Sequence, residues 1–571
     1  MSTPVCGVLG QLTPASQQQA EDMVTAAQQE GVELQAAGHN ETGIFYTAAG
    51  TSAAGVASVL WNAAGELPAA LAPTKNPATD WTAAAREADA CGIHQRSDGS
   101  WILHGSVSGT QVLYVYEAPG GVVLFSTRLR WLTRAAEQLS PDWQSWTEII
   151  AFGAPLSGRT TFAGIHRLKP MEYLETTGEG RVNRGAAHWA WEDYTPQPVS
   201  DLQDITEATI GHMSAQMRPY IAEAGTANPM LSGGRDSRML TALALNESAE
   251  TTEVTAWTTS SDSGTALEEL IAAQVAETLE VDHRIITGRY SQFAQDFTEY
   301  ADAVDYQASF HFWLMPVVRR LKETPGPIFD GIGGGVLLGG GFADPPNAHR
   351  LSRQDLVAAR IGSRARYLTE AQKVLAETAA AGVSSRSSAA AEPVAQQYLD
   401  HPNGHTLTSY LLRTVPGIAP APAKVLGRAQ PTLMPMVSDP VAQLALSLPH
   451  EVKADGAWYP YLLKAADPRL EGMETADDLM GRRHHKRRIA SVEAAAYLGG
   501  LIQNGPASGL LAPQLREADL SAPGGLMTWQ RMLNSQRPQH LIRGLAMLTL
   551  WLQEHQGQLK DSDPVKGVQN A

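Results

Sequence analysis

The chain has 571 residues, 43% of them hydrophobic and 18% charged, with a formal net charge of -16. That length exceeds a single hydrophobic core and predicts two or three domains; the acidic balance excludes nucleic acid as the main partner, because phosphate backbones select basic surfaces. Two cysteines, Cys6 and Cys91, exclude a disulfide framework and a cysteine metal cluster. No signal-peptide pattern opens the sequence and no run of about 18 apolar residues occurs, so a cytoplasmic protein with no membrane span is expected.

Residues 1–195 read as β-rich. Short apolar runs such as Gln111–Tyr116 and Val122–Phe125 are separated by turn residues, and Pro119-Gly120-Gly121 predicts a hairpin between those two runs. Beyond residue 200 the pattern changes to strand–helix alternation. A helix is expected over Asp201–Glu223, a strand over Glu253–Thr258 and a helix over Ala266–Leu279, with His283 closing that helix as a structural residue. Such alternation implies a parallel sheet with ligands at the carboxyl ends of its strands. From about residue 340 the sequence is predominantly helical, and the Ala- and Ser-rich segment 376–392 reads as an exposed helix end or loop.

The most informative stretch is Met230–Leu240, in which an apolar approach runs into Ser232-Gly233-Gly234-Arg235-Asp236-Ser237 before a helical pattern. Adjacent glycines let backbone approach a ligand closely, and the amides of a helix start attract phosphate. No lysine occupies the turn, so this is not a Walker loop. Aspartate at the helix start instead requires a bound metal between carboxylate and phosphate. A plain helix cap would use the same residue types, so the surrounding segments decide. The basic run Arg482–Arg488 reads either as a solvated loop or as a site for a polyanion such as pyrophosphate.

Ser232–Ser237 resembles the pyrophosphate loop of the ATP pyrophosphatase superfamily. A β-rich first half followed by such a loop is similar to the asparagine synthetase superfamily. Three further segments agree: the helix carrying Glu268, the glycine-rich run Phe329–Gly341, and Pro435–Asp439 with the leucine-rich Leu444–Pro449. Upstream, Thr161–Leu174 resembles the segment that ends the family's first domain, with Trp189 and Trp191 after it. The resemblance implies an α+β and α/β protein. A β-rich, N-terminal-nucleophile-hydrolase-like domain, a degenerate glutaminase, spans 1–197. An α/β ATP pyrophosphatase domain with a helical C-terminal part spans 198–571. ATP and Mg2+ are the implied cofactors. Leu231, Ser232, Gly233, Gly234, Asp236, Ser237, Gly331, Gly333 and Gly334 are implied to bind ATP and pyrophosphate. Asp236 and Asp330 are implied metal ligands, and Glu268 and Lys486 the catalytic pair. The sequence departs from the family at Gly335, which stands where the second loop has its metal-binding aspartate, and at Ile332, where β-lactam synthetases place a tyrosine.

Cys6-Gly7-Val8-Leu9-Gly10 resembles the opening of glutamine amidotransferases. Five residues precede Cys6, however, and the glutamine-binding signatures are missing; a cysteine that supplies its own amine as base must stand first. The resemblance therefore implies the non-glutaminase branch. Its expected activity is adenylation of a carboxylate, with AMP and pyrophosphate released, followed by attack of an amine. That amine is expected within the same molecule, as in lasso-peptide macrolactam synthetases. The substrate is a small molecule or peptide bearing both groups, and a precursor-processing protease is the implied partner. The alternatives are a glutamine-dependent asparagine synthetase, which Cys6 supports, and a degenerate nucleotide- or partner-binding scaffold, which Gly335 supports.

Overall fold

The computed structural model describes residues 4–48, 58–62, 65, 67, 71–136, 138–199, 201–260, 262, 266–341, 344–479 and 488–569. The strands of the first half are β1 (Val5–Leu9), β2 (Leu34–Asn40), β3 (Gly43–Ala48), β4 (Ser58–Trp61), β5 (Cys91–Gln95), β6 (Trp101–His104), β7 (Tyr114–Glu117), β8 (Val123–Ser126), β9 (Ile165–Arg167), β10 (Glu172–Thr176) and β11 (Val182–Ala186). They form two sheets, ordered β2-β3-β1-β8-β7-β9 and β11-β10-β6-β5-β4, with every pairing antiparallel.

Period-two alternation explains how the sheets stack. In β1, Val5 and Leu9 join Phe45, Trp101, Ile93 and Leu174 in a core between the two sheets. The intervening Cys6 and Val8 face Ala20, Met23 and Ala27 of the helix Pro14–Gln29. On the outer face of the second sheet, Trp81 of the helix Trp81–Ala88 lies 5.1 Å from the His104 ring and 5.0 Å from the Tyr173 ring. The first half is thus layered helix, sheet, sheet, helix. The expected hairpin joins β7 to β8, with Gly120 and Gly121 at φ 88° and 81°, angles that favour glycine.

The second half begins with the helix Leu202–Ala224. Asp201 caps its start by accepting from the Gln203 amide at 2.8 Å, and Gly225, at φ 66°, ends it. The chain then enters a parallel sheet of β12 (Thr226–Pro229), β13 (Glu253–Thr259), β14 (Asp282–Ile286), β15 (Ile328–Phe329) and β16 (Thr432–Leu433). Its order is β14-β13-β12-β15-β16. The helices Arg235–Asn246 and Ala266–Leu279 follow β12 and β13 as the strand–helix alternation predicts. No helix among the described residues is long and apolar enough to cross a membrane.

Two expectations are corrected. His283 does not close a helix; it lies in β14, where Thr258 Oγ1 is 2.7 Å from its Nε2. Residues 376–392 are not an exposed end, for they form most of the helix Glu377–Gln397, whose Ala379, Val383, Ala391 and Ala395 are buried. Small side chains allow this helix to pack closely: a Cβ on Gly382 would lie 2.3 Å from Val568 O. The C-terminal helix Gln536–Glu554 likewise turns back toward the first half, with the Trp551 ring tilted against that of Trp146 at 5.2 Å. One core therefore joins residues from both ends of the chain.

Of the basic run, residues 482–487 lie outside the described residues, but Arg488 does not behave as a solvated charge. Its Nε and Nη2 donate to Asp262 at 2.6 and 2.9 Å, and its Nη1 donates to Asp296. Both carboxyls are held above their ordinary range by burial, which Arg488 opposes. Removing the guanidinium leaves two carboxylates in a buried site with less compensation. Arg488→Met is expected to lower stability by about 3–5 kcal/mol, measured by urea unfolding. A loss below about 1 kcal/mol would show that the cluster is not structural.

Candidate active site

The order of the parallel sheet reverses direction between β12 and β15. The connections after these neighbouring strands diverge there and leave a crevice at their carboxyl ends. Backbone pairing carries both chains into it. Met230 N donates to Phe329 O at 2.9 Å, Leu231 N to Trp257 O at 2.8 Å, and Asp330 N to Leu433 O at 2.9 Å. Past these bonds lie the Ser232–Gly234 turn on one side and the Asp330–Gly334 turn on the other.

Side-chain oxygens fold the first turn. Ser232 N donates to Ser237 Oγ at 2.9 Å, Gly234 N to Ser232 Oγ at 3.1 Å, and Gly233 N to Glu268 Oε2 at 2.9 Å. Gly233 has no room for a side chain, since a Cβ would sit 2.6 Å from Ala476 Cβ. Arg238 is fully buried and donates to the carbonyls of Gly233 and Gly234, each at 3.0 Å, and of Met473 and Glu474 at 3.1 and 3.0 Å. The carbonyls of the turn are thus tied back into the protein. Gly234 starts the helix Arg235–Asn246 without a side-chain cap, so its first-turn amides are presented to an anion at the positive end of the helix dipole.

The second turn packs directly on the first. A Cβ at Gly331 would come within 2.8 Å of Asp236 Cβ, and one at Gly334 within 2.3 Å of Asp236 Oδ1. Asp236 accepts a hydrogen bond from the Tyr459 hydroxyl, and Asp330 accepts from Ile332 N at 3.0 Å. Burial pushes both carboxyls up to about 6, and Asp330 further raises Asp236. Two half-buried, mutually repelling carboxyls are a donor set suited to Mg2+, which takes one or two carboxylates and completes its shell with water and phosphate. Among the described residues no group of three or more His, Cys, Asp or Glu side chains could hold a metal by protein ligands alone. A Cβ on Gly335 would meet nothing within 4 Å, so the missing aspartate of that loop leaves open space.

A cavity of about 320 Å³ fills the crevice. Leu231, Ser232, Gly234, Asp236, Ser237, Glu268, Asp330 and Gly331 all line it. Gly233, Gly333 and Gly334 do not, and have packing roles: a Cβ on Gly333, at φ 95°, would lie 2.1 Å from Val437 Cγ1. Lys486 lies outside the described residues. Sequence reasoning missed Thr258, Thr259, His311 and Trp313 in the cavity wall, and Tyr459 beside Asp236. The two threonines end β13, so the carboxyl-end rule could have named them; nothing local marks Tyr459, 223 positions from its partner.

The raised carboxyls set the sign of a pH effect. In metal-free protein the native state holds these protons more tightly than the unfolded chain, whose aspartates titrate near 3.8. Stability from this source is present below about 4 and is lost as pH rises through about 6. In the presence of a chelator, Asp330→Asn is therefore expected to remove a pH-dependent loss of about 2–3 kcal/mol between pH 4 and 7. Thermal unfolding of both proteins across that range measures it; parallel curves would overturn the assignment.

Residues 225–470 match the family model for asparagine synthase. No curated protein matches the chain. The matched segment contains all five parallel strands, both facing turns and Tyr459, and over that segment the chain is similar to the asparagine synthetase superfamily, a family of ATP-dependent amide-forming ligases.

Proposed function

We propose that the protein activates a carboxylate with ATP, releasing AMP and pyrophosphate, and joins it to an amine. The observation that carries this reading is the uncapped helix start after Ser232–Gly234, set at the sheet's reversal point, with Asp236 in its first turn and Asp330 on the facing turn. The helix-start amides and the hydroxyls of Ser232 and Ser237 bind the polyphosphate, and Arg238 holds the turn in shape from behind. Asp236 and Asp330 would hold Mg2+, whose charge would offset that of the phosphates. Glu268 fixes Gly233 through its amide and faces the cavity, where it orients the reacting groups. Lys486 supplies an ammonium to the departing pyrophosphate or the developing oxyanion.

The amine is supplied by the substrate. Cys6 supports this: it lies inside β1, paired to Tyr46 on one side and Ser126 on the other, with its thiol pushed up by burial. A thiol so placed is a poor nucleophile. Intramolecular attack, as in a macrolactam synthetase acting on a peptide processed by a partner protease, draws much of its rate from proximity. Gly335 favours a second reading, a nucleotide-binding scaffold, because it removes a carboxylate from the second turn.

Nucleotide products separate these readings. With its true acid the enzyme should form AMP and pyrophosphate; ADP as the sole product would refute adenylation, and no turnover with retained ATP binding would favour the scaffold. Asp236→Asn is expected to lower ATP–pyrophosphate exchange by several hundredfold or more, roughly the worth of one metal-bound carboxylate in a transition state. Lys486→Ala should depress kcat and kcat/KM together while sparing ATP binding. Cys6→Ala should leave amide formation unchanged; glutamine-dependent product lost on that substitution would restore the amidotransferase alternative.

A further inference from the structure

The outer face of the second sheet carries a chain of polar side chains that the nucleotide cleft does not use. Ser58 of β4 stands directly opposite His94 of β5 in the antiparallel register, and His104 of β6 stands opposite Gly92, one diagonal step from His94. Three neighbouring strands thus place a hydroxyl and two imidazoles side by side on one face. Ser58 Oγ lies 2.5 Å from His94 Nδ1, His94 Nε2 lies 2.9 Å from His104 Nε2, and His104 Nδ1 lies 3.3 Å from Gly105 O. None of these residues lines the cleft.

One carbonyl orders every proton along this chain. Gly105 O can only accept, so His104 Nδ1 carries a hydrogen and, in a neutral ring, its Nε2 is an acceptor. His94 Nε2 must then donate, which leaves His94 Nδ1 as the acceptor for the Ser58 hydroxyl. Both rings are neutral at neutral pH, because burial holds His94 well below its ordinary value and lowers His104 to about 4. A hydroxyl, a histidine base and a third group that fixes the tautomer of the base are the parts of an activated serine nucleophile. The rings are also clamped in place. A Cβ on Gly92 would lie 2.5 Å from His104 Nε2 and 2.7 Å from His94 Nε2, and Trp81 packs on His104 from the helix side. Access is one-sided: His94 and His104 are fully buried, whereas Ser58 is partly exposed. Among the described strands β4 lies at the edge of its sheet. Alternate amides of an edge strand point away from the neighbouring strand, and such amides are the donors a developing oxyanion requires.

We propose that Ser58, His94 and His104 form a second catalytic site, a serine esterase on the first half of the chain, independent of the adenylation reading. Ser58 Oγ attacks the carbonyl carbon of a carboxylic ester while its proton passes to His94 Nδ1. His104 Nε2 accepts from the Nε2–H of the imidazolium so formed. The carbon–oxygen bond to the alcohol then breaks, the alcohol leaves with the proton from His94, and an acyl-Ser58 ester remains. Water attacks that ester and gives a proton to His94; the acid departs as Ser58 Oγ takes that proton back. One ester and one water thus become one acid and one alcohol. His104 touches no reacting atom and is a positioning residue.

The test uses the full-length protein with a fluorophosphonate and with p-nitrophenyl acetate. The fluorophosphonate is expected to form an adduct on Ser58, located by peptide mass spectrometry. It should form at least about 100-fold faster in native than in urea-unfolded protein, the worth of a positioned general base. Ser58→Ala should remove both the adduct and the hydrolysis of p-nitrophenyl acetate while Mg·ATP affinity is unchanged. His104→Leu, which takes away the acceptor behind His94, should slow labelling by about tenfold or more, the worth of one hydrogen bond to a charged group. His104→Gln, whose amide oxygen can accept from His94 Nε2–H, should recover part of that rate. Should neither His104 variant fold, the wild-type adduct and the Ser58→Ala comparison still decide. An adduct on another residue with Ser58 unmodified, native labelling no faster than unfolded, or hydrolysis as fast in Ser58→Ala as in wild type overturns the proposal. Equal labelling in both folded His104 variants overturns the part given to His104.

Discussion

Two half-buried carboxyls, Asp236 at a helix start and Asp330 at the end of β15, are the constraint around which the second half of the chain is arranged. Asp236 and Asp330 are both pushed up to about 6 by burial, so an unliganded fold at neutral pH carries an electrostatic cost there. The glycines at 331 and 334 exist in that setting because any side chain would collide with Asp236. Tyr459 contributes a hydroxyl to the same carboxylate, and Arg238 anchors the turn behind it. Two neighbouring carboxyls raised by burial are the feature on which the proposed nucleotide cleft rests.

The first half has a different relation to the chemistry. Its two sheets form a complete sandwich with helices outside, yet its cysteine sits in mid-strand with its thiol turned toward the helix layer. What it retains is packing surface. The helix Trp143–Phe152 receives helices from far along the chain, and a Cβ on Gly544 would lie 2.8 Å from Ile150 Cα. The first half thus helps fix the helix that carries Gln539 and Arg543 into a second cavity, which shares His311 and Trp313 with the cleft.

Charge placement ties these parts together. In an acidic protein of net charge -16, cations gather at two places. Arg488 meets Asp262 and Asp296 directly, while the cavity beside the cleft gathers four arginines with no carboxylate in its described lining. The first arrangement stabilises the fold by pairing.

Much of the architecture was legible in the sequence because it follows from local rules. The helix Ala266–Leu279 appears with its expected bounds, and the hairpin at Pro119-Gly120-Gly121 forms because only its turn residues suit positive φ. The Ser232–Ser237 turn was equally readable, since its hydroxyls and glycines act on amides within five positions. The tertiary structure decided the rest. A run of alanines and serines at 376–392 looked like surface until a close helix–helix approach made smallness an advantage. His283 looked like a helix end until β13 and β14 brought Thr258 to it. Tyr459 reaches Asp236, and four arginines reach one cavity, only after the sheet and its helices have closed. Hydrogen bonds and steric limits between near neighbours are written into composition and spacing, whereas contacts across hundreds of residues depend on topology that no short window contains.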